Sequence, residues 1–329
     1  MRIGVFCSGG DSPGMNACCR AVVRSAIAKG HEVVGINRGY QGLIEEDFFT
    51  AADGSKTMSL RTVSNWSMQG GAYLRSSRSE EFRTEAGQRK AAQVLTGNGI
   101  DAIIPIGGNG TFTGATKLAD IWPGQIVGCP GTIDNDLHGT DYTIGFSTAV
   151  QTAVDAVDKI RDTAESHERM FLVEVMGRHS GYIAIYTALA AGAEIVAIPE
   201  TPTDFSTIVE YLNALQDRKK SSVLMVVAEG DEEGDAFEID QKLKAAGNPF
   251  KTRVVVLGHI QRGGRPTPED RRRSTHMGSA AVAAIESGKT GIMIGTQGEA
   301  IIHTPFEDAI SIKRQIPIDL IRLMEEMAT

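Results

Sequence analysis

The sequence predicts an α/β fold: two doubly wound, mainly parallel-sheet, Rossmann-like domains, with the chain crossing between them. Three observations predict it. Apolar, β-branched runs recur, each followed by a glycine-rich or polar turn and then a segment with helical spacing. A length of 329 residues points to about two domains of about 150 residues each. No low-complexity tract or long linker separates the halves, so the domains are expected to share closely packed elements.

Taken in order, the run Ile3–Cys7 leads through Ser8–Asn16 into the helical pattern Met15–Ala28, and Glu32–Ile36 follows. Ala102–Ile106 leads through Gly107–Thr111 into Thr111–Ala119. Gln125–Cys129 ends on PGTIDND, and Thr148–Asp162 has helical spacing. Phe171–Val175 ends on Met176-Gly177-Arg178, with a helical segment at Ala184–Ala191. Glu194–Ile198, Val223–Ala228 and Arg253–Leu257 are the next strands; GHIQRGG follows the last of them, then the helical stretch Gly278–Ser287 and the strand Gly291–Ile294. Strand followed by helix, repeated in this way, buries a parallel sheet under helices on both faces.

Composition narrows the function. With 33 Lys and Arg against 41 Asp and Glu, the net charge is −8. A duplex-binding surface needs a basic surplus to displace counterions, so nucleic acid is not an expected partner. No stretch reaches the ~20 apolar residues of a membrane span, and MRIGVFCSGG is too short a run for a signal peptide. The four cysteines, Cys7, Cys18, Cys19 and Cys129, have no CxxC spacing; this argues against a disulfide framework or zinc site and for a reducing, cytoplasmic setting.

In open α/β sheets ligands bind beyond the carboxyl ends of the strands, and four of those ends are unusual. Ser8–Asn16 places Gly9, Gly10 and Gly14 between strand and helix, where backbone amides and a helix N-terminus favour an anion; a tight βα connection is the alternative. Gly107–Thr111 repeats the arrangement. Neither GxxxxGK[ST] nor GxGxxG occurs, which excludes a P-loop and a dinucleotide fingerprint. In PGTIDND an extended backbone would aim Asp134 and Asp136 to one side, one to accept a proton and the other to help hold a metal; an Asx-rich turn with surface acids is the alternative. Arg169, Arg178, Arg253, His259 and Arg262 cluster around later strands, and arginine suits forked hydrogen bonding to phosphate. His31, His138 and His303 follow no pattern and read as structural.

Together SGGDSPGMNA, GGNGT, PGTIDND, VEVMGR, VAEG and GHIQRGG resemble the bacterial-type 6-phosphofructokinases in order and spacing, over essentially the whole chain. The resemblance implies Mg²⁺-dependent transfer of the γ-phosphoryl of ATP to the 1-hydroxyl of fructose 6-phosphate. It implies Asp134 as general base beside Thr132, with Arg178 and Arg78 neutralising the moving phosphoryl and Gly10 completing the catalytic set. Gly10, Tyr40, Arg78, Ser79, Gly108, Asn109, Gly110 and Thr111 would line the nucleotide. Thr132, Asp134, Met176, Gly177, Arg178, Glu229, His259 and Arg262 would hold the sugar phosphate, with Arg169 and Arg253 lent to a neighbouring subunit in a homotetramer. Asn109 and Asp136 would face Mg²⁺. Arg20, Arg24, Arg161, Glu194, Arg218 and Lys220 match an effector site for a nucleoside diphosphate such as ADP, or for phosphoenolpyruvate. The domains would be 1–145 plus 261–311 for the nucleotide and 146–260 plus 312–329 for the sugar phosphate.

Two positions bear on the donor and the metal. Similar pyrophosphate-dependent enzymes fill the α-phosphate space with Asp and Lys where this chain has Gly110 and Gly131, so that space is expected to be open to ATP. Asn109 stands where the family usually has aspartate, removing one negative charge near the metal. A pyrophosphate-dependent enzyme and a catalytically weak sensor of nucleotide and sugar phosphate are the rival readings.

Overall fold

The computed structural model describes residues 1–51 and 53–327. The chain begins β1 (Arg2–Cys7), α1 (Met15–Ala28), β2 (Glu32–Gly35), α2 (Gly39–Ile44), α3 (Glu85–Gly97), β3 (Ala102–Gly107), α4 (Asn109–Ala119), β4 (Gln125–Thr132) and β5 (Ile144–Gly145). It continues through α5 (Phe146–His167), β6 (Met170–Val175), α6 (Tyr182–Ala191), β7 (Ile195–Ala197), α7 (Phe205–Asp217), β8 (Val223–Ala228), α8 (Ala236–Ala245) and β9 (Thr252–Val256). The last elements are α9 (Pro268–Glu286), β10 (Ile292–Gln297), β11 (Ala300–Pro305), α10 (Phe306–Ser311) and α11 (Ile318–Met327). Two compact units result: Met1–Ile133, Leu137–Thr148 and Arg262–Arg314 form unit 1, while Asp134–Asp136, Ala149–Gln261 and the chain from Gln315 onward form unit 2.

Unit 1 is built on a seven-stranded sheet in the order β11-β10-β4-β3-β1-β2, with β5 pairing β4; only β10 and β11 run antiparallel. Its central strands carry Ile3, Val5, Ile104, Ile106 and Val127 with no exposure, because helices cover both faces. On one face Met15, Cys18, Cys19 and Val22 of α1 join Met277, Ala281 and Val282 of α9; on the other, Leu95, Phe112, Leu118 and Phe306 close the second layer. Each Val, Leu, Ile, Phe or Met side chain among them, fully buried, contributes about 1.5–3 kcal/mol. All four cysteines lie in unit 1 as buried free thiols.

Unit 2 is built on a four-stranded parallel sheet, β7-β8-β6-β9. Met170, Leu172, Met225 and Val227 of its strands pack with Leu212 and Leu215 of α7 and Ile239 and Leu243 of α8.

The strands β5 and β11 and the start of α9 depart from the sequence expectation. β11 was not anticipated: it is an edge strand with mixed exposure, folded back through Gly298 and Glu299 so that Gln297 pairs Ala300. α9 begins ten residues before the expected Gly278. Thr267 caps it by accepting from Asp270 N, Pro268 stands at its first turn, and Glu269 and Asp270 favour its positive end. The charged run PEDRRRSTHM conceals that first half because few apolar residues mark its buried face. Among the described residues, no helix is long and apolar enough to cross a membrane.

Candidate active site

In unit 1 the strand order reverses around β1, which has β2 on one side and β3 on the other. A crevice forms at such a switch point beyond the carboxyl ends, and both glycine-rich turns lie there. Ser8–Asn16 leaves β1, and Gly14 initiates α1 at φ 110°, a left-handed conformation closed to most other residues. A Cβ at Gly10 would meet the flexible end of Arg262, with Nη1 at 2.6 Å. Arg262 lies against this turn and donates from Nη1 to Asp11 O at 3.1 Å. The structure therefore places Arg262 in unit 1, whereas His259 of the same motif is in unit 2.

The second turn leaves β3 and opens α4, whose first residue is Asn109. Thr111 Oγ1 donates to Ser8 O at 3.2 Å, joining the two turns. Tyr40 braces α4 from behind: its hydroxyl donates to Thr111 O at 2.7 Å and its ring stacks on Phe82. Burial pushes the Tyr40 phenol far above its ordinary pKa, so it remains a donor. Ser79 donates to Gln41 Oε1 at 2.6 Å. Arg78 is exposed.

The two glycines expected to leave room for the donor differ. A Cβ at Gly110 meets nothing within 4 Å. One at Gly131 would meet Met15 Cε at 2.8 Å, Ile106 Cγ2 at 3.1 Å and Gly107 N at 3.2 Å. Position 110 is thus open as expected, and position 131 is crowded by the packing of β4.

The first three residues of PGTIDND, Pro130 to Thr132, end β4, but the backbone beyond them is not extended. The strand stops at Thr132, and Asn135 sits at φ 52° in the left-handed region, so alternation does not aim Asp134 and Asp136 to one side. Asp134 is buried at 4% exposure and Asp136 is half-buried. Thr143 Oγ1 donates to Thr132 O at 2.6 Å. Within unit 2, Ser180 Oγ donates to Asp134 O at 2.8 Å.

In unit 2 the order reverses around β6, flanked by β8 and β9. The Met176-Gly177-Arg178 turn beyond β6 is fixed by side chains from both neighbours. Glu229, just past β8, accepts at Oε1 from Gly177 N at 3.2 Å and Arg178 N at 2.8 Å. Gln261, fully buried past β9, accepts from Met176 N at 2.8 Å. These contacts hold Arg178 at φ 56° with its side chain exposed. His259 is exposed in the same region. Arg169 is half-buried just before β6, and Arg253 is exposed on the edge strand β9. Sequence reasoning missed Gln261, although it stands inside GHIQRGG; a buried amide in a polar motif was the available signal.

Unit 2 also holds a cavity of about 520 Å³ lined by Arg161, Glu194, Arg218 and Lys220, with Lys219 and Met327 among its other walls. Lys220 Nζ pairs with Glu194 Oε1 at 2.7 Å, while Glu194 Oε2 accepts from Leu224 N at 2.8 Å. Arg161 donates to Gly192 O at 2.8 Å. Four cations against one carboxylate give this cavity an anion-attracting field. The remaining two residues expected at an effector site, Arg20 and Arg24, stand on α1 in unit 1.

Comparison with known proteins agrees with this geometry. The phosphofructokinase family profile matches residues 2–285. The chain is 48% identical over 327 residues to the ATP-dependent 6-phosphofructokinase 1 of Thermus thermophilus, covering 99% of each. The phosphofructokinase of Saccharomyces cerevisiae superposes with a TM-score of 0.86 at 34% identity; this chain is covered to 99% and spans about half, 48%, of the yeast chain. A pyrophosphate-dependent phosphofructokinase from Marinobacter aquaeolei shares the fold, with a TM-score of 0.84 at 21% identity over 97% of this chain and 86% of that one. With glycine-rich turns at one switch point, an arginine-bearing turn at the other, and near-full-length identity of this order, the chain belongs to the phosphofructokinase family.

Proposed function

We propose that this chain is an ATP-dependent 6-phosphofructokinase of the cytoplasm, converting fructose 6-phosphate and ATP to fructose 1,6-bisphosphate and ADP. The observation that carries the reading is the buried Asp134 beyond β4, in a chain whose other strand ends supply phosphate-type turns and arginines. Unit 1 is the nucleotide domain and unit 2 the sugar-phosphate domain. Asp134 accepts the proton of the 1-hydroxyl as that oxygen bonds to the γ-phosphorus, and the bond to the β,γ-bridging oxygen breaks to release ADP. Arg78 and Arg178 disperse the charge on the three equatorial oxygens in transit. Gly10 and the Gly108–Thr111 turn hold the donor phosphates through backbone amides. Glu229 orients the turn that carries Met176, Gly177 and Arg178, and His259 and Arg262 serve the 6-phosphate.

The oxygen donors of Asp136 and Asn109 suit Mg²⁺, which binds through one or two carboxylates together with substrate phosphates and water. Bound there, Mg²⁺ would supply charge neutralisation for the donor phosphates. Arg169 and Arg253 are assigned to a neighbouring subunit's 6-phosphate site in a homotetramer; the exposure of Val256 (47%) and Ile260 (58%) close to Arg253 supports an assembly surface there. The cation-lined cavity, together with Arg20 and Arg24, is assigned to an anionic effector, either ADP or phosphoenolpyruvate.

A donor comparison tests the reading. Purified protein is given fructose 6-phosphate and Mg²⁺ with ATP, other nucleoside triphosphates or pyrophosphate, with and without ADP or phosphoenolpyruvate. Fructose 1,6-bisphosphate should form fastest with ATP, at a rate that the added effectors change. Faster turnover with pyrophosphate would assign the donor differently, and tight binding without turnover would make the chain a sensor.

A further inference from the structure

The segment Gln69–Ser79 carries Arg78 yet contains no helix or strand. An arginine that must meet a moving phosphoryl needs its backbone held to about half an ångström, and regular structure does not supply that here. Side chains do. Asn16, 1% exposed at the start of α1, donates from Nδ2 to Gln69 O at 3.1 Å and Gly70 O at 3.0 Å, and its Oδ1 accepts from Tyr73 N at 2.7 Å. Arg38 N donates to Leu74 O at 2.8 Å, and Leu74 is fully buried. Ser77 Oγ donates to Arg38 O at 2.8 Å. Ser76 Oγ donates to Gly9 O at 2.6 Å, and Gly9 N approaches Ser77 O at 3.5 Å.

These bonds tie the segment to the first glycine turn and to Arg38 at successive points that end one residue before Arg78. The guanidinium of Arg78 has no hydrogen-bond or ion-pair partner among the described residues, so its placement depends on the backbone beneath it. The bond from Ser76 to Gly9 therefore sets Arg78 and the donor turn in one register. Arg75 adds a sign of constraint: it occupies the left-handed region at φ 56°, which costs about 1–2 kcal/mol for a side-chain-bearing residue and persists only where neighbouring contacts impose it.

We propose that Ser76, with Asn16 and Ser77 behind it, is a positioning residue for phosphoryl transfer, locking Arg78 to the phosphate turn that begins at Gly9. The inference rests on the kinase reading and on the role given there to Arg78. Gly9 is half-buried, so its carbonyl can turn to water when the hydroxyl is removed, and Ser76→Ala is expected to fold.

The experiment is a double-mutant cycle on the full chain, measuring kcat, both KM values and Tm for Ser76→Ala, Arg78→Ala and their combination, with Ser76→Thr as the conservative variant. Misplacing a charge-bearing group by about 1 Å costs on the order of 100-fold in rate, so Ser76→Ala should lower kcat about 10- to 100-fold with little change in the KM for fructose 6-phosphate. Ser76→Thr, which keeps the hydroxyl, should restore most of that loss. In the Arg78→Ala background the same change should alter kcat by less than about twofold, since residues acting as one unit are not additive. Full additivity in the double variant, or unchanged kcat in Ser76→Ala beside a crippled Arg78→Ala, overturns the inference alone. Wild-type kcat in Arg78→Ala removes the role assigned to Arg78 and the inference with it. Should Ser76→Ala not fold, Ser77→Ala carries the same kinetic expectation.

Discussion

The phosphate-binding strand ends proposed for the two units are built by different means. In unit 1 they are made of backbone: Gly9, Gly10 and Gly14 before α1, then Gly108 and Gly110 around the start of α4. In unit 2 they are made of side chains: Arg178 beyond β6 and His259 beyond β9, with Glu229 and Gln261 spent on holding backbone amides. Backbone amides at helix N-termini follow a chain of phosphates without pinning any one oxygen. A guanidinium instead meets a single phosphoryl group with a fixed fork. Under the proposed roles, donor selectivity becomes a matter of space around glycines, whereas transition-state charge is shared between Arg78 and the strained turn at Arg178.

The largest effect should come from that turn. Arg178 holds φ 56°, a region glycine enters without penalty and other residues enter at about 1–2 kcal/mol. Arg178→Gly should therefore lower kcat about 100- to 1000-fold, the loss seen when one charge-stabilising donor is removed, without lowering Tm. A fall in Tm alongside a small change in kcat would mean that Arg178 is a structural residue, and the contrast between the units would break. Arg178→Lys should recover little of the rate, because an ammonium cannot reproduce the fork.

Space around Gly110 comes next. An added carbon there meets nothing, so Gly110→Asp should fold normally while setting a carboxylate against the donor phosphates. Like charges placed together cost several kcal/mol, which predicts a loss of at least about 100-fold in kcat/KM for ATP. Unchanged turnover with ATP would remove the steric account of donor choice. Gly131→Ala sharpens the test: its added methyl enters a crowded site beside Met15 and Ile106, so it should reduce Tm through overpacking of about 1–3 kcal/mol.

The same contrast governs what the sequence revealed. The switch-point turns were legible because a strand, glycines and a helix appear consecutively, and strand runs such as Val223–Ala228 recur in the structure with the same bounds. Arg178 was legible as a residue, yet its strained backbone was not, because Glu229 binds its N–H from 51 positions away and Gln261 binds that of Met176 from 85 positions away. The extended backbone expected through Asp134 and Asp136 was misjudged for a local reason: Asn135 takes the left-handed conformation that asparagine tolerates, and this ends the alternation. The crowding around Gly131 was not legible for a tertiary reason, since only the fold brings Met15 and Ile106 against it. Local pattern locates strand ends; the direction in which a group points is set by distant partners.

The smallest expected effect tests the backbone-built end directly. Asn109 is the first residue of α4, where a negative charge is favoured by about 0.3–1 kcal/mol from the helix dipole alone. Asn109→Asp should thus raise Tm slightly even without ligand. In the presence of ATP the added carboxylate supplies a charged oxygen toward Mg²⁺, whose affinity follows the number of charged ligands. The half-saturating Mg²⁺ concentration at fixed ATP should fall by a factor of about three to ten, corresponding to about 0.7–1.4 kcal/mol. The two readouts are independent, since the dipole term needs no metal. A higher Tm with an identical Mg²⁺ titration would leave Asn109 as a helix-start residue and move metal binding to Asp136 and the donor phosphates. A tighter titration would instead make the missing charge at position 109 a determinant of how strongly this enzyme depends on magnesium.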